Sequence, residues 1–142
     1  MRAMIDTCVL LDAIQNREPF SKAASEIFLL AANERFTGYL TASSATDIHY
    51  IVRRATHSDD LSRQVLQKLF TLFEPLDTTG MDCRRAIPSA VMDYEYAVMV
   101  ETAVRAQLHC IVTRNGRDYA QSPVPALSPE EFVRRVLAEG EE

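Results

Sequence analysis

Three aspartates carry the chemistry of this sequence: Asp6, Asp47 and Asp118, each placed directly after, or within a few turns of, a stretch that reads as a β-strand. Carboxylates far apart in a chain converge when each follows a strand of one parallel sheet, because the strand ends then share the edge where such sheets receive ligands. Three carboxylates gathered in this way repel and raise one another's pKa unless a cation neutralises them. Hard oxygen donors of this kind suit Mg²⁺ or Mn²⁺ with most of the shell left as water. Such a site activates water and stabilises the oxyanions of a phosphodiester displacement. Each aspartate taken singly has a second use as a helix cap. For Asp6, followed by Thr7, capping and ligation stand side by side on its own stretch.

Competing chemistries lack their residues. There is no Walker motif, no GxSxG and no GxGxxG. Cys8, Cys83 and Cys110 form an odd set without a CxxC pair, which argues against a disulfide framework and a zinc site, and His49, His57 and His109 show no metal-ligand spacing. A phospho-accepting signalling domain would want an acidic pair after the first strand and a lysine after a late one, and Lys22 and Lys68 are both misplaced for that.

The elements that must position these acids follow from periodicity. Ala3–Ile5 is an apolar run without alternation, as in a central parallel strand covered on both faces. Helices are expected up to Asn16, over Phe20–Asn33, Thr41–Thr56, Leu61–Phe73 (with Leu61, Val65, Leu69 and Leu72 inward), Thr79–Ile87 and Tyr94–Gln107. Further strands are expected at Phe36–Leu40, Glu74–Asp77 (an edge, from Pro75), Cys110–Thr113 and Val124–Leu127. Ser128-Pro129-Glu130-Glu131 reads as a capping box launching the helix Phe132–Ala138. Strands separated by helices imply a three-layer α/β/α domain around a parallel sheet, a single domain over residues 1–138 with an acidic tail at 139–142.

At 142 residues, 47% hydrophobic and 25% charged, the chain is large enough to bury its own core. No apolar run approaches a membrane span and the opening residues lack a signal-peptide pattern, so the expectation is a cytoplasmic protein without membrane contact. The net charge of −5 leaves no basic footprint for nucleic acid, although thirteen of the fifteen basic residues are arginine. Arg53, Arg54, Arg114 and Arg117 are the candidates for phosphate contacts, Arg84 and Arg85 are expected to solvate a helix end, and His49 and Tyr50 to pack.

MIDTCVLLD at the start, TASSATDIHYIVRR in the middle, and DYEYAVMVETA followed by IVTRNGRDY near the end resemble the motifs of the PIN domain family. The resemblance is strongest to its bacterial VapC-type toxin branch, runs from Met4 to Phe132 and includes the late PALSPEEF segment. It implies a metal-dependent endoribonuclease using Mg²⁺ or Mn²⁺, the toxin of a toxin–antitoxin pair, with RNA as substrate, a cognate antitoxin as partner and a second copy of the chain as a further one. Carried over residue by residue, Asp6 matches the first family acid, Asp47 the second (more often Glu) and Asp118 the acid of the TRN-x-x-D segment, with Thr113 and Asn115 as the polar pair that orients it or the substrate phosphate. Where relatives open a helix with D-F-E-D-A this chain has Asp93-Tyr94-Glu95-Tyr96-Ala97, so Tyr96 stands at the position of the third acid, and Cys8 stands where many relatives carry Asn. Glu95, or Asp93 beyond its capping role, is the residue expected to supply the acid. The alternative is a PIN module that binds RNA or a protein partner without cleaving it.

Overall fold

Ala3, Met4 and Ile5 are completely buried, and the strand they form, β1 (Arg2–Ile5), is the middle of a five-stranded parallel sheet in a computed structural model that describes residues 1–140. β2 (Thr37–Thr41) and the edge strand β3 (Phe73–Leu76) flank it on one side, and β4 (Cys110–Val112) and β5 (Ala126–Leu127) on the other, in the order β3-β2-β1-β4-β5. Ala3 pairs with Gly38 and with Cys110, Ile5 with Val112, and Thr41 with Leu76, which sets the carboxyl ends of the strands along one edge.

Alternation along β1 divides the core in two. Ala3 and Ile5 face five helices: α1 (Thr7–Ile14), α2 (Ser21–Ala32), α3 (Ala42–Thr56), α4 (Asp59–Leu72) and, after two more helices, α7 (Pro129–Glu139). Met4 faces the other side, with Ile111, against α5 (Gly80–Ala86) and α6 (Tyr94–Arg105). The three layers match expectation. Edge-on aromatic pairs fill the larger layer, Phe36 on Phe132 at 4.8 Å between ring centroids and Phe28 on Phe73 at 5.1 Å. Gly38 is glycine because of Phe73: a Cβ there would stand 2.5 Å from a carbon of that buried ring.

Four details differ from the sequence reading, each for a local reason. Leu61 is 48% exposed rather than inward, because Ser62 is the buried residue of that turn and donates its hydroxyl to the His49 carbonyl at 2.8 Å. Phe73 leaves the helix to open β3. β5 starts at Ala126 instead of Val124, since Ser122 Oγ holds Val124 through both its N–H and its carbonyl and pairing begins at the Pro125 carbonyl. At Ser128 only the serine half of the capping box forms, accepting from Glu131 N, and the reciprocal box lies at Thr79 and Asp82. α7 includes Glu139, and residues 141–142 of the expected acidic tail lie outside the described residues. No described helix is long and apolar enough to cross a membrane.

Candidate active site

β1 ends at Ile5, and the next residue, Asp6, emerges at the carboxyl edge with its N–H bonded to the Val112 carbonyl of the neighbouring strand. Asp6 occupies the N-cap position of α1, yet its side chain does not cap the helix. The carboxylate instead reaches across to β4's end, where Oδ2 accepts the Thr113 hydroxyl at 2.7 Å and, weakly, the Cys8 thiol at 3.7 Å. Only 3% of Asp6 is exposed, and burial pushes its carboxyl above the usual carboxylate range, a rise that the hydrogen bonds from Thr113, Thr7 N–H and Cys8 offset in part. Burial and the Asp6 charge hold the Cys8 thiol in its protonated, donating form.

Thr113 continues a relay. Its hydroxyl oxygen accepts from Asn115 N–H at 2.9 Å while its proton goes to Asp6, and the Asn115 amide donates to the Tyr96 hydroxyl at 3.2 Å. The Tyr96 ring stacks on Tyr119 at 4.7 Å and 29°, and Asp118 precedes Tyr119 on the short 3-10 turn Gly116–Tyr119. Burial, then the charge of Asp6, and more weakly that of Asp118, raise the Tyr96 phenol pKa, so it stays protonated at neutral pH.

The remaining acids arrive from two helix starts. Thr41 caps α3 through Ser44 N–H, and the buried Ser44 hydroxyl meets Thr7 Oγ1 at 2.6 Å, tying the start of α3 to that of α1. Asp47 lies exposed three residues beyond Ser44. Asp93 caps α6 by accepting Tyr96 N–H at 3.1 Å, as its sequence position suggested. Burial, followed by the charges of Asp47, Asp93 and Asp6, raises the Glu95 pKa. The structure thus brings Asp6, Thr113, Asn115 and Tyr96 into one bonded chain, with Glu95 feeling the charges of Asp47, Asp93 and Asp6, and Tyr96 that of Asp118. Among the described residues no three acidic, histidine or cysteine side chains lie close enough to form a finished metal cage.

The donor set nonetheless fits a hydrated divalent cation. Asp6 is a buried carboxylate without an ion-pair partner among the described residues, and the Glu95 pKa is raised by burial and then by its acidic neighbours. A positive charge relieves both, and Mg²⁺ needs only one or two direct carboxylates with water completing its shell.

Sequence reasoning missed Asp12. It is 1% exposed and pairs with Arg114 Nε at 2.6 Å, with the Arg114 guanidinium also lying 4.0 Å over the Phe20 ring. That pairing anchors the segment carrying Thr113 and Asn115, and it removes Arg114 from the phosphate-binding candidates. The interruption of the apolar run VLL by Asp12 is the signal that could have found it. Arg53 and Arg54 lie in the last turn of α3, away from the helix start at the acidic edge, so they too are displaced from the expected role, whereas Arg117 lies on the 3-10 turn with Asp118. Arg84 and Arg85 occupy the last turn of α5 as expected. His49 bridges to Asp59 at 2.9 Å, and Tyr50, at 62% exposed, does not pack.

Residues 2–117 match the family model described as PIN domain. Three solved structures share the fold: VapBC2 from Rickettsia felis bound to a DNA fragment from its promoter (14% identity, TM-score 0.66, 90% of this chain and 98% of that one), a toxin–antitoxin complex from Klebsiella pneumoniae (19%, 0.64, 89% and 97%) and VapBC-1 from nontypeable Haemophilus influenzae (11%, 0.64, 92% and 99%). No curated protein matches the sequence significantly.

Proposed function

Because this chain belongs to the PIN domain family, we propose that its acidic edge is the active site of a metal-dependent endoribonuclease. The observation that carries the reading is Asp6. A carboxylate at a helix N-cap that declines the cap, stays buried at a cost and is held by Thr113 is positioned for something other than folding. Asp6, Asp47 and Asp118, with Glu95 from α6, would hold Mg²⁺ or Mn²⁺, and Asp93 remains the cap. Bound there, the ion supplies an activated water and charge neutralisation at the phosphodiester. Thr113 fixes the Asp6 carboxylate, Asn115 fixes Thr113 and Tyr96, and Arg117 is free to meet a phosphate.

The likeness to VapBC and other toxin–antitoxin structures supports a toxin role in the cytoplasm with a cognate antitoxin as partner. Tyr96, in the position of an expected acid, favours a second reading: a PIN module that binds RNA or a protein partner without cleaving it. Incubation of RNA with wild type and Asp6→Asn in Mg²⁺ or Mn²⁺ decides between them. Cleavage by wild type that Asp6→Asn abolishes supports the nuclease, and failure of wild type to cleave any RNA refutes it.

A further inference from the structure

A cleft of about 320 Å³ opens beside the acids, between the starts of α3, α5 and α6. Glu95 lines it together with Thr41, the last residue of β2, so the cleft opens at the carboxyl edge of the sheet. We infer that this cleft is a nucleobase subsite: it receives one unpaired base of a single-stranded RNA, stacked on the Tyr94 ring, with the Ser43 and Thr78 hydroxyls at the base edge. The identity of the ligand rests on the ribonuclease reading above.

Four observations lead there. Tyr94 is 52% exposed, yet its ring is fixed, since its hydroxyl donates to the Cys83 carbonyl of α5 at 2.9 Å. A ring already immobilised loses little freedom when a base stacks on it, and stacking on aromatic side chains is how unpaired RNA bases are held. Val98 and Met99, one turn further along α6, supply an apolar wall suited to the face of a base. Ser43 and Thr78 line the cleft, and a hydroxyl both donates and accepts, which matches the mixed edge of any base. Finally, the Glu95 side chain lines the cleft and, among the described residues, no basic side chain does, so the part of a nucleotide suited to enter is the neutral base and not the phosphate. The volume lies at the small end of ligand cavities, enough for a single splayed nucleoside and too narrow for a duplex.

The test is fluorescence anisotropy of a labelled single-stranded RNA oligomer with a cleavage-resistant backbone, with the full chain at low salt in Mg²⁺. Tyr94→Ala is expected to weaken binding about 5- to 150-fold, the range for one aromatic stack. Tyr94→Phe keeps the ring and most of the affinity. Ser43→Tyr, on the exposed first turn of α3, fills the cleft from its rim and weakens binding without touching Tyr94. Tyr94→Ala and Tyr94→Phe both lose the bond to Cys83, so melting temperatures that remain well above the assay temperature separate the effect from unfolding. Wild-type affinity in both Tyr94→Ala and Ser43→Tyr overturns the subsite, as does absence of saturable binding by wild type. Metal-supplemented cleavage is scored separately: Tyr94-dependent binding without any cleavage sinks the nuclease reading alone, and cleavage with Tyr94-independent binding sinks the subsite alone.

Discussion

Tyr96→Asp puts a carboxylate beside Asp6 and Asp118 and separates the two functional readings in one protein. Its cost is set by what the tyrosine does now. The substitution loses the stack on Tyr119, worth about 0.5–1.5 kcal/mol, and the hydrogen bond from Asn115, worth about 0.5–1.5 kcal/mol. It also returns a half-buried ring to water, about 1 kcal/mol. Without metal the variant is therefore about 2–4 kcal/mol less stable, a fall in Tm of about 6–12 °C at roughly 3 °C per kcal/mol for a chain of this size. The deficit is larger at neutral pH than in acid, because the new carboxylate repels the charged form of Asp6, which burial already disfavours. Saturating Mn²⁺ should reverse part of it. A tenfold gain in metal affinity at fixed Mn²⁺ adds about 1.4 kcal/mol of stability, or about 4 °C. Differential scanning fluorimetry with and without Mn²⁺ reads both numbers, and Tyr96→Asn, which loses the same contacts without gaining charge, is the control. If Mn²⁺ raises the Tm of Tyr96→Asp no more than that of wild type and Tyr96→Asn, the acids around position 96 do not hold a cation and the reasoning fails.

Further outcomes follow from other buried groups. Asp6→Asn should abolish cleavage while raising Tm at neutral pH: burial holds the folded carboxyl above the ordinary aspartate value of 3.8, so its ionised form opposes folding, and the gain disappears as pH falls towards 3.8. Equal melting of the two proteins at neutral pH would contradict this. Asp82→Ala should cost about 2–3 kcal/mol in chemical denaturation, since that 1%-exposed carboxylate accepts from Thr79 N–H, Thr102 Oγ1 and the Arg105 guanidinium, joining α5 to α6. Although burial raises the Asp82 pKa, the Arg105 and Thr79 hydrogen bonds pull it below 3.8, so its stabilisation is full above 3.8 and is lost as acid titrates through the lower folded value. A gap between wild type and Asp82→Ala that widens in acid would be the wrong sign. Gly38→Ala should lower stability by about 1–3 kcal/mol through its clash with the buried Phe73 ring, and Phe73→Leu in the same chain should recover part of the loss in Tm.

The order of strands and helices was readable because each carries its own signal: the unbroken Ala3–Ile5 run, the 3.6-residue stripes of α2 and α6, and the capping residue Asp93. Errors fell where one residue serves two neighbours. Phe73 suits the end of a helical stripe as well as a strand start, and Ser62 looks solvent-exposed until the His49 carbonyl above it is known. The arginines were the least legible, since an Arg contacting phosphate and an Arg sealing a buried Asp12 are the same letter.

The strands, and the edge at which their carboxyl ends meet, were determined by the sequence, because a parallel sheet sends every strand's carboxyl end the same way. Whether Asp6 caps its helix or turns into the site was not, since both uses begin from the same N-cap backbone. Tertiary structure decided it through a partner 107 residues away: the Thr113 hydroxyl offers a bond at 2.7 Å inside a buried space, and the side chain takes it in place of its own helix. The same holds for Tyr96. Its place in the sequence marks a missing acid, and only the packing of Tyr119, Asn115 and Asp6 around it shows a protonated, stacked phenol in that acid's stead.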